Sequence, residues 1–477
     1  MQNQSSNALE WADRRMPALF VILGLVLGLS YLFFMPPLQV PDEAAHLYRA
    51  YSVSTGACVA SPKTPVPRSF VRLSELFPDS MEYTRPVTLD DLRLSLRTPL
   101  NEGDMSTGDG HLLSGCTTYL PVAAALRLGR SLALAPLVLM YLGRFANLIV
   151  YLLLTYLALR VLPDLRLLLF CLALMPMTLH EAASNSADAM TIAVGFLFCA
   201  YVSHLAFDDR TAKLDFRRHL ALAILLIAMA LNKTLVALGP LLLLIPFKKF
   251  GSRRAFWLAM GGYALVLVVP AAWWQYANRQ AINAYETGFR ADGINITANL
   301  RLIYRDPILF LGACCRGLYF WRFRLMSEFV GTLGWLSVWL PFKLVMGYLT
   351  MLGVLACTQT RVIRLGFWRR LLVAIILAAS IVILFVPVFA WDTEAGTEHT
   401  VAPQLQGRYF IPIAFLFVLL LSNTGLRFHW RFLTITVVCI ILATNVVALG
   451  TVIDNYYHNC PREPNLPEFD KNLFFGG

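Results

Sequence analysis

A chain of 477 residues would ordinarily divide into two or three soluble domains, but 57% of this one is hydrophobic and only 14% is charged, where soluble chains carry about 45–50% and about 25%. That composition excludes a soluble enzyme and predicts an all-α, polytopic membrane protein. The net charge of +11 does not point to nucleic acid, because the basic residues fall in short clusters between apolar runs, without a contiguous patch or interleaved aromatics.

Eleven apolar runs predict spans near residues 16–35, 137–159, 164–181, 187–206, 218–231, 234–247, 255–276, 341–357, 371–391, 409–422 and 431–452, since about 20 residues of helix cross roughly 30 Å of hydrocarbon. The first run follows Arg14 and Arg15 and has no small-residue cleavage site before Pro36, so it reads as an uncleaved anchor. With a cytoplasmic N-terminus, the inside segments carry Arg160 and Arg166, then Arg210, Lys213, Arg217 and Arg218, then Lys248, Lys249, Arg253 and Arg254. The last two carry Arg361, Arg364, Arg369 and Arg370, and Arg427 and Arg431. All are basic, as the positive-inside rule requires.

The outside then receives residues 36–136, 277–340 and 392–408, tight turns at 184–186 and 232–233, and a polar, Pro-rich tail at 453–477 that reads as extended. Within the first loop, residues 120–134 are too short to span comfortably and predict an interfacial or dipping helix. The runs at 218–231 and 234–247 also fit one bent helix. There is no internal repeat and no soluble segment with an independent core, so residues 1–452 read as one membrane domain.

Cys58 and Cys116 both fall in the first outside loop, where an oxidising compartment permits pairing; the sequence leaves open whether they pair. Cys171, Cys199, Cys357 and Cys439 read as packing residues of the spans, and Cys314 and Cys315 lack zinc-site spacing.

Several polar residues are out of place in such a chain. Just past the first span, a Pro-stiffened exit puts Asp42, Glu43 and His46 at the membrane surface. Asp42 and His46, four apart, share a face of any helix starting near Pro41. The simpler reading makes Asp42 a helix cap and leaves Glu43 and Arg49 solvated. A second cluster, His180, Glu181, Ser184, Asn185, Ser186 and Asp188, follows Pro176; ionisable groups at that depth are costly unless paired or facing a wet cavity. Asp188 also suits a cap for the fourth span.

Lys233 interrupts an apolar hairpin, and Arg144 sits with Asn147 inside the second span. Intramembrane cations are functional candidates by default, although Lys snorkels and Arg pairs with carboxylates. Arg408, beside Tyr409 at the head of the tenth span, suits a bidentate phosphate contact or an interfacial anchor. Carboxylates, a histidine and cations thus converge on one face. Cations offset the charge on a phosphate leaving group, and a carboxylate takes the proton of an attacking hydroxyl.

The stretches PDEAAHLYRAYSVSTG, TTYLPVAAALRLG, RFAN, MPMTLHEAASNSADAMT, NKTL and QGRYFIP, in that order, resemble a bacterial membrane family known as domain of unknown function 2142, over roughly residues 16–452. That family is similar to the GT-C glycosyltransferases, which use polyprenyl-phosphate sugars and carry an acidic motif in the first outside loop. The resemblance implies a GT-C-type bundle in the bacterial inner (cytoplasmic) membrane with an extracytoplasmic site. It makes Asp42 the general base, Glu43 or His46 its support, and Lys233 and Arg408 the clamp on the lipid phosphate, with Arg144 and Tyr409 on the donor side. It implies inversion at the anomeric carbon.

The implied partners are a polyprenyl-phosphate sugar, a cell-envelope glycan or glycolipid acceptor and the bilayer. No cofactor is expected, because Asp42, Glu43 and Asp188 offer fewer oxygen ligands than hard cations usually draw on. The chain lacks the large soluble C-terminal domain of several GT-C enzymes, so acceptor recognition would fall to the outside loops. There Tyr285, Trp321, Trp335 and Trp339 offer faces for sugars or ordinary interfacial anchors. A transporter or flippase is the main rival, because intramembrane ionisable residues also mark substrate pathways. No matching pair of interrupted helices is visible in the two halves, and the polar residues crowd one face. A polysaccharide polymerase or ligase would share the chemistry, and a scaffold protein would not need Asp42.

Overall fold

The computed structural model describes residues 2–459 apart from 62, 79–85, 110–113, 163, 209–212, 233–234, 292–293, 359–362, 364, 393–400 and 423–432. Where hydrocarbon replaces water, backbone N–H and C=O groups must pair within their own segment, and every predicted apolar run is helical. Helix α1 (Gln2–Phe34) leads into the first long loop, which holds α2 (Glu43–Ser54), β1 (Lys63–Pro67), α3 (Arg68–Leu76), α4 (Leu89–Arg97), β2 (Met105–Asp109) and α5 (Leu120–Ser131). Then come α6 (Pro136–Val161), α7 (Arg166–Ala173), α8 (Pro176–Ala182), α9 (Asp188–Phe207), α10 (Phe216–Ala230), a 3-10 helix at Leu235–Leu244 and α11 (Arg253–Ala277). The second long loop contains α12 (Arg279–Ala291), α13 (Ile296–Arg305), α14 (Pro307–Phe320), α15 (Arg322–Gly331) and a short ribbon of β3 (Thr332–Leu333) and β4 (Val338–Trp339). The chain closes with α16 (Phe342–Thr358), α17 (Phe367–Asp392), a 3-10 helix at Gly407–Ile413, α18 (Ala414–Leu421) and α19 (Leu433–Ile453).

Among the described residues, six helices are long and apolar enough to cross a membrane: those of α1, α6, α9, α11, α17 and α19. The other five predicted spans are short or broken. The run at 164–181 divides into α7 and α8 at residues 174–175, with Pro176 at the first turn of α8, where its missing N–H leaves no bond unmade. Helix α10 has 15 residues and covers only about 23 Å. A turn at 231–232 ends it, so it does not continue as one bent helix into the 3-10 segment, which contains Pro240. Helix α16 has 17 residues, and the run at 409–422 splits into a 3-10 turn and α18.

The first long loop departs from the all-α expectation. β1 and β2 pair antiparallel, with Lys63 opposite Asp109 and Pro67 opposite Met105. The loop also buries a second apolar cluster, in which Leu47, Tyr51, Phe70 and Tyr119 pack with Leu137 and Met140 of α6. Because α6 supplies part of it, this core completes the membrane domain and does not stand alone. The run at 120–134 forms helix α5, in which Val122, Leu126 and Gly129 are buried while Leu120 and Leu128 are exposed.

Cys58 and Cys116 form a disulfide across a sequence separation of 58 residues. Arg49, expected to be solvated, is fully buried and donates to the carbonyls of Ala57 (3.0 Å) and Cys58. The bridged segments also brace the membrane helices: the Gly115 amide donates to the Leu231 carbonyl at 2.9 Å, and the Ala60 amide to Asn278 Oδ1 at 2.7 Å. Closing a loop of that size stabilises by about 4 kcal/mol in the chain-entropy picture. The Cys58→Ser, Cys116→Ser double variant is therefore expected to melt several degrees below the wild type, with dithiothreitol erasing the difference. Equal melting without reductant would show that the loop gains nothing from the bridge.

The start of the tail is not extended. Helix α19 runs on as a π-helical turn at Asp454–Asn459, and the Tyr456 carbonyl accepts from the Val87 amide at 2.9 Å, docking it on the first loop. Residues 460–477 lie outside the described residues.

Candidate functional site

The exit from α1 is held in an uncommon backbone conformation. Leu38 (φ 62°) and Asp42 (φ 60°) are both left-handed, a region that aspartate tolerates and leucine rarely enters. Strain of this kind persists only where surrounding contacts over-determine it, and it gathers at functional sites. Here the Leu38 carbonyl accepts from Trp335 Nε1 at 3.2 Å and Leu38 is fully buried. Asp42 precedes α2 but its side chain makes no capping hydrogen bond, which sets aside the simple cap. Its carboxylate is 43% exposed and lies 3.9 Å from Arg408 Nη2.

Glu43 is neither solvated nor at Asp42's service. Its oxygens accept from Arg144 Nε (2.7 Å) and Nη2 (2.6 Å), and from the backbone and side-chain nitrogens of Asn185 (3.1 and 3.0 Å). Arg144 spends its remaining N–H groups on the carbonyls of Leu32, Met35 and Pro36. Expected on the donor side, it has no donor left for a phosphate. The pair instead ties α1, α2, α6 and the 184–186 turn into one node. Asn147, one turn on from Arg144, holds the same turn through the carbonyls of Ser184 (2.8 Å) and Ser186 (3.0 Å). His46 Nδ1 meets the Tyr119 hydroxyl at 2.7 Å.

The groups that do converge surround Arg408. Its Nη1 donates to Glu181 Oε1 (2.8 Å) and lies 3.5 Å from Asp188 Oδ2, while Nε donates to Gln406 Oε1 (2.7 Å). Asp188 is the first residue of α9 and not its cap; its own amide donates to the Ser186 hydroxyl. The Ser184 hydroxyl donates to the Glu181 carbonyl. Among the described residues, Glu181 Oε2 and both ring nitrogens of His180 are buried with no hydrogen-bond partner, and His180 Nδ1 stands 3.7 Å from Glu181 Oε1. Buried groups left in this state have a high energetic stake in any ligand or water that reaches them.

Glu181, Asp188 and Arg408 open onto a cavity of about 810 Å³. Its polar end also carries Gln404, Gln406 and Asn232, its flank is apolar with Val268, Ile383 and Leu384, and Trp274, Trp391 and Tyr409 supply aromatic faces. Asp42 is not one of the described lining residues, and its link to the cavity is the contact with Arg408. Lys233 lies outside the described residues, next in sequence to Asn232. Of the predicted aromatics, Trp321 Nε1 reaches the Ala402 carbonyl and Trp335 the Leu38 carbonyl, Trp339 stacks with Arg324 at 5.6 Å, and the Tyr285 side chain lies outside the described residues.

One residue escaped the sequence reading. Glu328, on α15, is fully buried and accepts from Arg324 Nε (3.0 Å), Gln404 Nε2 (2.8 Å) and the Gly407 amide (2.7 Å). Burial pushes its carboxyl up from the usual carboxylate value, against the Gly407 amide and the Arg324 guanidinium, which pull it down. The available signal was an acid set among Leu325, Met326, Phe329 and Val330.

Six helices long and apolar enough to cross a membrane, with a cavity of mixed apolar and polar lining among them, define a helical membrane protein. The family model described as "Predicted membrane protein (DUF2142)" matches residues 23–417, and the chain belongs to that family. No curated protein and no solved structure matches it.

Proposed function

We propose that this protein is a GT-C-type glycosyltransferase that moves a sugar from a polyprenyl-phosphate donor to a cell-envelope glycan or lipid acceptor, on the extracytoplasmic face of the bacterial inner membrane. The observation that carries the reading is the cavity itself. An apolar flank suited to a lipid chain runs up to a wall where Arg408 meets Glu181, Asp188 and Asp42. The 2.8 Å contact with Glu181 is structural, whereas those to Asp188 and Asp42 are long, and a phosphate oxygen would replace them. Phosphate binding at Arg408, with Lys233 as the second cation, would release Asp42 to take the acceptor proton. Attack opposite the leaving phosphate then inverts the anomeric carbon.

The test is release of polyprenyl phosphate from a panel of polyprenyl-phosphate sugars with envelope acceptors, by wild type and by Asp42→Asn matched in thermal melts. Removing a general base slows transfer by about 10²–10⁴-fold. Equal release by both would remove Asp42 as the base.

A second reading, transport or flipping of a lipid-linked glycan, is favoured by one observation. Glu181 ends the interrupted helix α8 and Arg408 begins the interrupted 3-10/α18 segment, and helix breaks that meet at a polar site mark substrate sites in transporters. Movement of a labelled lipid across vesicles without release of its phosphate would select it.

A further inference from the structure

Residues 402–407 lie as a strap along α14 and α15. The Ala402 amide donates to the Ala313 carbonyl at 3.1 Å, Trp321 Nε1 donates to the Ala402 carbonyl at 3.4 Å, and Gln404 and Gly407 both donate to Glu328. The approach at Gly407 is close enough to require glycine: a Cβ there would collide with the Leu325 carbonyl and the Phe329 amide of α15. Gly407 is followed directly by Arg408, and Gln404 itself lines the cavity. Glu328 is thus the acceptor where the strap ends and the cavity wall begins.

We infer that Glu328 is the positioning residue that sets Arg408 and the polar wall of the cavity, which makes α15 of the second long loop part of the site's framework. Two carboxylates then fix Arg408 from opposite sides of the chain: Glu181 through the guanidinium, and Glu328 through the backbone one residue earlier. Arg324, 3.0 Å from Glu328 and stacked on Trp339, neutralises the buried acid and fixes its rotamer. The charged acceptor gives the Gly407 amide a stronger bond than a neutral one would. The inference about placement stands on this geometry; its consequence for turnover rests on the transferase reading.

The experiment uses the full chain in lipid nanodiscs, as wild type, Glu328→Ala and Glu328→Gln, with amide hydrogen exchange read by mass spectrometry. Loss of hydrogen bonds to a charged group is expected to speed exchange in peptides covering residues 402–410 of Glu328→Ala by about 10–100-fold. Glu328→Gln keeps one oxygen for Gly407 and is expected to fall between, and it carries the test if the alanine variant does not fold. Peptides of α6 and α9 are expected to exchange as in the wild type. With a donor that the wild type turns over, kcat is expected to fall by about 100-fold, as for a misplaced site group, with KM little changed. Unchanged exchange over 402–410 in a folded variant overturns the inference whatever the activity; faster exchange with unaltered kcat overturns the link to Arg408. Faster exchange with no release by the wild type from any donor upholds the placement and counts against the transferase reading alone.

Discussion

Glu43→Ala is expected to destabilise the protein by about 3–5 kcal/mol, the penalty for stranding one partner of a buried ion pair. Both side chains are fully buried, so Arg144 cannot turn to solvent to replace the two bonds that it would lose. The node is wider than a pair, because the Asn185 amide and side chain also lose their bonds to Glu43, leaving the 184–186 turn held by Asn147 and by the bond from Asn185 to the Met140 carbonyl. Arg144→Lys is expected to be nearly as damaging, since an ammonium has three donors and no fork, whereas Arg144 makes five bonds. Glu43→Met with Arg144→Met is expected to recover part of the loss, as apolar replacement of buried pairs often does. Recovery stays partial because the carbonyls of Leu32, Met35 and Pro36 lose their donor. The readout is the thermal midpoint together with the monodisperse fraction on size exclusion. A Glu43→Ala variant within about 1 kcal/mol of wild type would mean that the node is not a structural pin.

These roles show where the sequence is readable and where it is not. Composition and apolar length suffice for a helical membrane protein, because hydrocarbon leaves the backbone one economical solution. They do not reveal that α7 and α8 are separate or that the tenth run begins as a 3-10 turn. Hydropathy counts apolar residues and is blind to a break, and Pro176 and Pro412 were the only local marks. Glu43, Arg144, Asn185, Glu181 and Arg408 were all singled out by their polarity, but their pairing is tertiary: Glu43 meets Arg144 across 101 residues, and Glu181 meets Arg408 across 227. A single sequence cannot tell which acid takes which cation, so polarity alone fits Arg144 to the donor and Glu43 to the support of Asp42 as readily as to each other. Glu328 went unnoticed for the converse reason. It lies between the basic stretch of Arg322 and Arg324 and the loop aromatics, where an exposed acid is ordinary, and only packing under residues 404–407 buries it.

Arg408→Ala is expected to abolish function and to lower stability as well, and the two effects are separable. The variant leaves Glu181 buried without its cation, a loss of about 3–5 kcal/mol, while Asp188 and Asp42 lose the charge that holds three carboxylates together at one end of the cavity. Removing the buried charge along with its partner, as Glu181→Gln with Arg408→Met, is expected to restore much of the stability and none of the activity. Arg408→Lys keeps the charge but reaches fewer acceptors, because Arg408 meets Gln406 through Nε and Glu181 and Asp188 through Nη1. It is expected to fold and, on the proposed transferase reading, to bind the lipid phosphate more weakly, raising KM more than it lowers kcat. Thermal midpoints and polyprenyl-phosphate release, measured on the same three preparations, resolve the two contributions. If the Glu181→Gln, Arg408→Met protein regains both stability and release, Arg408 serves only to neutralise Glu181, and the phosphate contact must be sought elsewhere on the cavity wall.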